Sequence, residues 1–169
     1  MAGLRNDPLL NHNFVITLVD TTSLLGAAPA SSPGDVLSSA LAGFSECSGL
    51  EMSMQPEEYK EGGNNSTVLK FASRVTWGNL TLRRGLGTST DLWDWHYGFV
   101  EGHGKRRDGV IVLLDEARQP ARMWCFRRGL PIKYSGLQFN ATQNAVAIEA
   151  VEIAHEGIIQ LPGAGGGAL

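Results

Sequence analysis

Three runs between Gly43 and Leu86 alternate apolar and polar side chains with a period of two. In the first, Leu50, Met52 and Met54 point one way and Glu51, Ser53 and Gln55 the other. In the second, Thr67, Leu69 and Phe71 oppose Val68 and Lys70. In the third, Leu80 and Leu82 oppose Asn79, Thr81 and Arg83. This periodicity predicts half-buried strands. Between the first two runs lies YKEGGNN, residues 59–65. Glycine and asparagine accept positive φ at low cost, so this is a turn. The stretch therefore predicts a long antiparallel hairpin and then a third strand.

The same reading extends along the chain. Residues 1–11 form a polar arm, and 14–19 (FVITLV) predict a short strand that is apolar on both faces. Residues 21–42 shift to Thr, Ser, Ala, Gly and Pro and predict a surface insertion, dispensable to the fold. Residues 90–101 predict a helix. Leu92, Trp95, His96 and Phe99 stand at i, i+3, i+4 and i+7, and Trp93, Tyr97 and Val100 widen that stripe. Ser89 or Thr90 can cap it, Asp91 and Asp94 suit the positive end of its dipole, and Gly102 and Gly104 end it. Its stripe predicts a core face, with Leu92, Trp95 and Phe99 inside. Residues 110–114 (VIVLL) predict a buried strand and 122–128 a return strand carrying Trp124 and Phe126 on one face. Gly129-Leu130-Pro131 predicts a break, followed by a shorter strand at 132–134. Residues 146–156 fit both a helix, through the spacing of Glu149, Glu152 and Glu156, and a bulged strand, through Val146/Ile148 and Val151/Ile153. The Gly-rich end predicts a flexible tail over 159–169, after a single domain over 1–158.

Composition narrows the function. A chain of 169 residues with 43% hydrophobic and 18% charged residues suits one globular domain. A net charge of −3 argues against a broad nucleic-acid footprint. Cys47 and Cys125 lack metal or redox spacing and predict reduced, partly buried thiols. Residues 1–20 do not read as a signal peptide, and no apolar run is long enough to cross a bilayer as a helix. This predicts synthesis in the cytoplasm without secretory export.

Catalytic patterns are weak. Gly102-His103-Gly104-Lys105-Arg106 lacks phosphate-loop spacing. His12, His96, His103 and His155 show no metal-binding spacing, and Ser45 and Ser48 lack a nucleophile elbow. The sequence predicts no enzyme, no metal and no cofactor. Three arginine pairs, Arg83-Arg84, Arg106-Arg107 and Arg127-Arg128, predict ion pairs with the glutamates, with a small anion-binding module as the alternative.

Several runs together resemble a known family. They are DPLLNHNF from Asp7, GFSECSGLE from Gly43, EYKEGGNN from Glu58, WGNLTLRRG from Trp77, LWDW from Leu92, and Ile148-Glu149 through Ala154-His155-Glu156-Gly157. Their order and spacing over residues 7–20 and 43–158 resemble the tail tube proteins of contractile phages and of extracellular contractile injection systems. The insertion at 21–42 departs from that family's shorter connection. The resemblance implies a mainly β fold, an antiparallel sandwich or barrel with one flanking helix and a long hairpin, similar to the haemolysin-coregulated protein of type VI secretion. It makes 146–156 a strand.

It also implies a structural role. Homo-hexameric rings would stack into an inner tube within a sheath protein, with baseplate, spike and terminator proteins at its ends and protein cargo or DNA in its lumen. A tube-initiator ring protein of the same fold is the alternative within the family. The central strands would then pack one face on the core and turn the other to the bore, with Ser53, Gln55, Asn79, Thr81 and Arg83 as lumen-facing candidates. The hairpin tip (Glu57, Glu58, Tyr59, Lys60, Glu61, Gly62, Gly63, Asn64 and Asn65) would hold one ring to the next.

Overall fold

The computed structural model of the chain describes residues 13–20, 43–63, 66–137, 139, 142 and 146–162. The 21–42 insertion, His12, Asn64, Asn65 and the last seven residues lie outside them. The described residues form eleven strands and one helix. The strands are β1 (Phe14–Asp20), β2 (Glu46–Ser48), β3 (Met52–Met54), β4 (Glu57–Tyr59), β5 (Leu69–Phe71), β6 (Val75–Trp77) and β7 (Leu80–Gly85). The helix α1 (Asp91–Val100) follows, then β8 (Arg107–Leu114), β9 (Pro120–Ser135), β10 (Ile148–Ala154) and β11 (Ile158–Pro162).

One antiparallel path, β1-β8-β9-β10-β7-β2, runs through the body, with β11 added to β9. β9 is long enough to serve two sheets. Its first half pairs β8 on one side and β11 on the other, and its second half pairs β10. The first sheet is thus β1-β8-β9-β11 and the second β9-β10-β7-β2. A core lies between them: Ile16 and Leu18 of β1, Ile111 of β8, Phe126 of β9, Leu80 and Leu82 of β7, and Val151 and Ile153 of β10, closed by Leu92 and Trp95 of α1. The sequence predicts β1 to be apolar on both faces and β8 to be buried. Their alternate residues Val15, Val110, Val112 and Leu114 form a second apolar cluster.

The expected break at 129–131 is absent. β9 runs through it, because this is where the chain turns from one sheet to the other. Arg128 takes a left-handed φ of 52°. The Asp108 carboxylate accepts its backbone N–H at 2.6 Å. A Cβ on Gly129 would sit 2.8 Å from the Arg107 carbonyl oxygen, so no larger residue fits the corner. Pro131 follows at a bulge, two residues of β9 facing one step of β10. Proline is tolerated there because a bulge on an edge needs no ladder donor at every position.

Within the ambiguous 146–156 segment, 148–154 form strand β10. Its apparent slip has a simple cause: Glu149, Val151 and Ile153 all point inward, so a glutamate occupies the first inward position. The expected tail boundary at 158 moves. Residues 158–162 pair with β9 as β11, because Ile158 packs against the core.

The helix covers the core as its stripe predicts. Leu92, Trp95 and Gly98 are buried, and Phe99 is half-buried against the core. Gly104 makes room for the Phe99 ring, since a Cβ there would lie 2.4 Å from it. The wider stripe does not hold: Trp93, Tyr97 and Val100 are exposed. Thr90 is the N-cap residue but its hydroxyl bonds the Asp94 carboxylate instead of a backbone N–H. The Ser89 hydroxyl accepts the Asp91 N–H at 3.3 Å.

Candidate functional site

The β2/β7 ribbon leaves the body at a kink built from glycine. Gly49 has φ of 89°, and a Cβ there would lie 1.9 Å from the Asn79 carbonyl oxygen. Any side chain would force the two strands apart. Beyond the kink the ribbon continues as the predicted hairpin, but not as two long strands. It consists of two three-residue ladders, β3 with β6 and β4 with β5.

Each ladder has one apolar face. Directly opposed residues share a face. In the lower ladder Met52 opposes Trp77 and Met54 opposes Val75, while Ser53 opposes Thr76 on the other side, their hydroxyls 2.8 Å apart. In the upper ladder Tyr59 opposes Leu69 and Phe71 opposes Glu57, while Glu58 opposes Lys70. Tyr59 and Phe71 meet edge to face at 6.4 Å. The expectation that these strands lay an apolar face on their own core fails. Met52 is 72% exposed, Tyr59 56% and Phe71 53%. The alternation is real, but the hairpin stands away from the body: of its apolar face Trp77, at the root, meets His155, while Met52, Tyr59 and Phe71 stay exposed. Gly63 carries the turn with φ of 96°.

The body offers a different surface. On the second sheet Leu80 and Leu82 are fully buried, and Asn79, Thr81 and Arg83 point the other way. Their neighbours on that outer face are Glu46 and Ser48 of β2, Ala150 and Glu152 of β10, and Lys133 and Ser135 of β9. Arg83 pairs with Glu46 at 3.3 Å, and Asn79 donates to Glu152 at 2.8 Å. Of the five lumen candidates, the structure groups Asn79, Thr81 and Arg83 on this polar face. Ser53 and Gln55 lie beyond the kink on the hairpin. Among the described residues, the second sheet has open edges at β2 and along the second half of β9.

One buried feature escaped sequence reasoning. Arg84 continues the inward series Leu80, Leu82, Arg84, and opposes Glu149 on β10. The guanidinium Nε donates to Glu149 at 2.6 Å, and both side chains are almost fully buried. The other Glu149 oxygen accepts the Tyr134 hydroxyl at 2.8 Å, and the guanidinium also reaches the Ser89 carbonyl. Burial, and then the bond to Glu149, push the Tyr134 hydroxyl up to about 12. The available signal was phase: both charged residues stand two positions from an inward apolar one.

Four other arginines of the three pairs, Arg83, Arg106, Arg107 and Arg128, are also engaged. Arg106 and Arg128 share the Glu156 carboxylate at 3.0 Å each, and Arg107 lies over the Trp95 ring. This disfavours an anion site. Cys47 and Cys125 are half-buried and unlinked. Burial, with Glu46 nearby, pushes the Cys47 thiol up to about 11. His155 sits between Trp77 and Phe126, at the root of the hairpin. Its Nδ1 accepts the Gly157 N–H at 3.2 Å, and its Nε2 is buried. Burial lowers its pKa. Among the described residues no group of His, Cys, Asp and Glu is placed to hold a metal ion.

Among the described residues, the sandwich thus combines an open-edged polar sheet with a projecting hairpin whose apolar side chains are exposed. The sequence pattern of the family described as T4-like virus tail tube protein gp19 matches residues 11–159. The chain belongs to that family. It is a tail tube protein of contractile phage tails or extracellular contractile injection systems, a structural component of the particle. Solved structures share its fold. A chain in the six-fold symmetrised baseplate of the anti-feeding prophage superposes with a TM-score of 0.75 at 22% identity, over 92% of this chain and 97% of that one. A chain in the sheath-tube complex of the PVC extracellular contractile injection system, in its extended state, gives 0.74 at 21%, over 94% of each. A chain in the PVC sheath/tube terminator gives 0.74 at 21%, over 93% of this tail tube protein and 99% of that chain. No curated protein matches its sequence.

Proposed function

We propose that this tail tube protein is the repeating subunit of the inner tube, closing in sixes into rings that stack around a bore. The outer face of the second sheet lines that bore. The observation that carries this reading is the combination of two edges open among the described residues with a polar outer face backed by a buried, mostly apolar inner one. Joining β2 of one copy to the second half of β9 in the next pairs both edges and makes the sheet continuous around the ring. Asn79, Thr81 and Arg83 then face the bore with Glu46, Lys133 and Glu152.

The hairpin, 57–65 at its tip, reaches a copy in the neighbouring ring. The solved relatives lie in sheath-tube, baseplate and terminator assemblies. By extension, a sheath surrounds this tube, baseplate and terminator proteins close its ends, and protein or DNA passes through it. Subunits are made in the bacterial cytoplasm and assemble there.

Purified protein tested by size exclusion and negative-stain microscopy gives hexamers or long tubes. Protein that stays monomeric or dimeric at every concentration would falsify the reading. In assembled tubes, cysteine at Thr81 or Ser135 reacts with a small maleimide and is shielded along the tube from a bulky one.

A further inference from the structure

The charged side chains on the outer face of the second sheet cancel one another. Among the described residues they are Arg83 of β7 and Lys133 of β9, and Glu46 of β2 and Glu152 of β10. Each cation has a carboxylate beside it. Arg83 meets Glu46 at 3.3 Å, and Lys133 stands directly opposite Glu152, which also accepts from Asn79 at 2.8 Å. The side chains between them are short: Ser48, Thr81, Ser135 and Ala150. We infer that the bore lined by this face is a passage for polypeptide cargo and not for nucleic acid. This inference rests on the tube reading above and names the class of molecule that the tube conducts.

Two properties of the face select polypeptide. The first is that its charges sum to zero. Polypeptides differ in net sign from one another and carry both signs along their length. A wall of compensated charge neither draws in nor repels either sign, and short hydroxyl and methyl groups give a passing chain little to adhere to. Charges farther apart than about 8–10 Å are largely screened at ordinary salt, so the cargo responds to these local pairs. The second property is that the cations stay within reach. The Arg83 side chain is 52% exposed and its partner Glu46 51%, and Lys133 is exposed. An ion pair this open is weak, so a phosphate can take the carboxylate's place. Nucleic acid offers a phosphate at every nucleotide, and each one neutralised releases counterions to the solvent. Arg83 and Lys133 recur in every copy of every ring, so a strand in the bore is held at many points at once. A wall over which a polyanion slides would instead carry carboxylates without cations between them.

Tubes carrying Thr81→Cys labelled with a fluorescent dye report what enters the bore and how fast it leaves. The probes are a quencher-bearing single-stranded DNA and a quencher-bearing peptide of similar length with lysine and glutamate in equal number. Both should quench the dye. At about 0.05 M salt the DNA should leave about tenfold more slowly than the peptide, and about 0.2 M salt should remove most of that difference. Adding Arg83→Gln and Lys133→Gln should bring DNA release to the peptide's rate and leave the peptide's own rate unchanged. DNA that leaves the bore of the labelled tubes as fast as the peptide, glutamine variants that still hold DNA, or a bore that admits neither probe would overturn the inference while leaving the tube reading intact. Wild-type protein that forms no tubes would overturn the tube reading, and this inference with it.

Discussion

The third alternating run and the first two have the same pattern and opposite fates. Leu80 and Leu82 of β7 are wholly buried, while Met52 and Met54 of β3, and Leu69 and Phe71 of β5, are exposed. The runs are joined by a kink only a few residues long, at Gly49 and Gly78–Asn79. What differs is what faces each strand. β7 lies between β2 and β10, under α1 and opposite the first sheet. Among the described residues β3 to β6 pair only with each other. A two-stranded ribbon is at best marginal alone in water, so this hairpin is completed by association. An amphipathic pattern thus records that an apolar face is to be covered, without recording by which chain.

That contrast predicts different consequences for mutations in the two regions. The largest loss of stability belongs to the body. Trp95→Ala should cost roughly 3–5 kcal/mol, because it empties a core site and frees the Lys105 carbonyl that accepts the indole N–H at 2.8 Å. A melting temperature close to wild type would show that α1 does not close the core.

Glu149→Ala should cost about as much, roughly 3–5 kcal/mol, since it leaves Arg84 buried without its carboxylate. The paired replacement Arg84→Met, Glu149→Leu should recover most of that loss. Chemical denaturation of the three proteins checks it. Equal loss in the single and double variants would show that packing, and not the ion pair, is what matters at this site.

A smaller effect sits at the junction of the two regions. Burial holds the His155 pKa below its ordinary 6.5, so the folded state favours the neutral ring. Its contribution is fully present above pH 6.5 and is lost as pH falls from there toward the folded pKa. A proton on Nδ1 also removes the acceptor for the Gly157 N–H. The drop in melting temperature between about pH 7.5 and about pH 5.5 should shrink in His155→Phe. An unchanged drop would assign that pH dependence to other groups.

The smallest effect on stability belongs to the hairpin. Phe71→Ser should change it by no more than about 0.5 kcal/mol while abolishing the stacking of ring on ring, so that single rings accumulate in electron micrographs. A large stability loss would mean that the hairpin packs on its own body in solution.

Much of this molecule was legible along the chain, for reasons that are local. Helix α1 was readable because its apolar spacing, acidic first turn and following glycines all act within a few residues. β1, β7 and β8 were readable because alternation or continuous apolarity reports how many faces a strand buries. The family resemblance lay in six short runs in fixed order. It supplied the strand assignment of 146–156, which the regular spacing of three glutamates had left open.

What the sequence withheld depends on partners far away in the chain. Arg84 and Glu149 look like surface charges until β7 and β10 are set side by side, 65 residues apart, and the pair becomes mutually neutralising. Gly129-Leu130-Pro131 looks like a strand end until Asp108, on another strand, fixes the corner through the Arg128 N–H. Ile158, Ile159 and Leu161 look like the start of a tail until β9 offers an edge. The sequence by itself determined which residues require an apolar neighbour. Only the tertiary structure decided whether that neighbour lies in the same chain, because burial depends on what surrounds a strand and not on the strand alone.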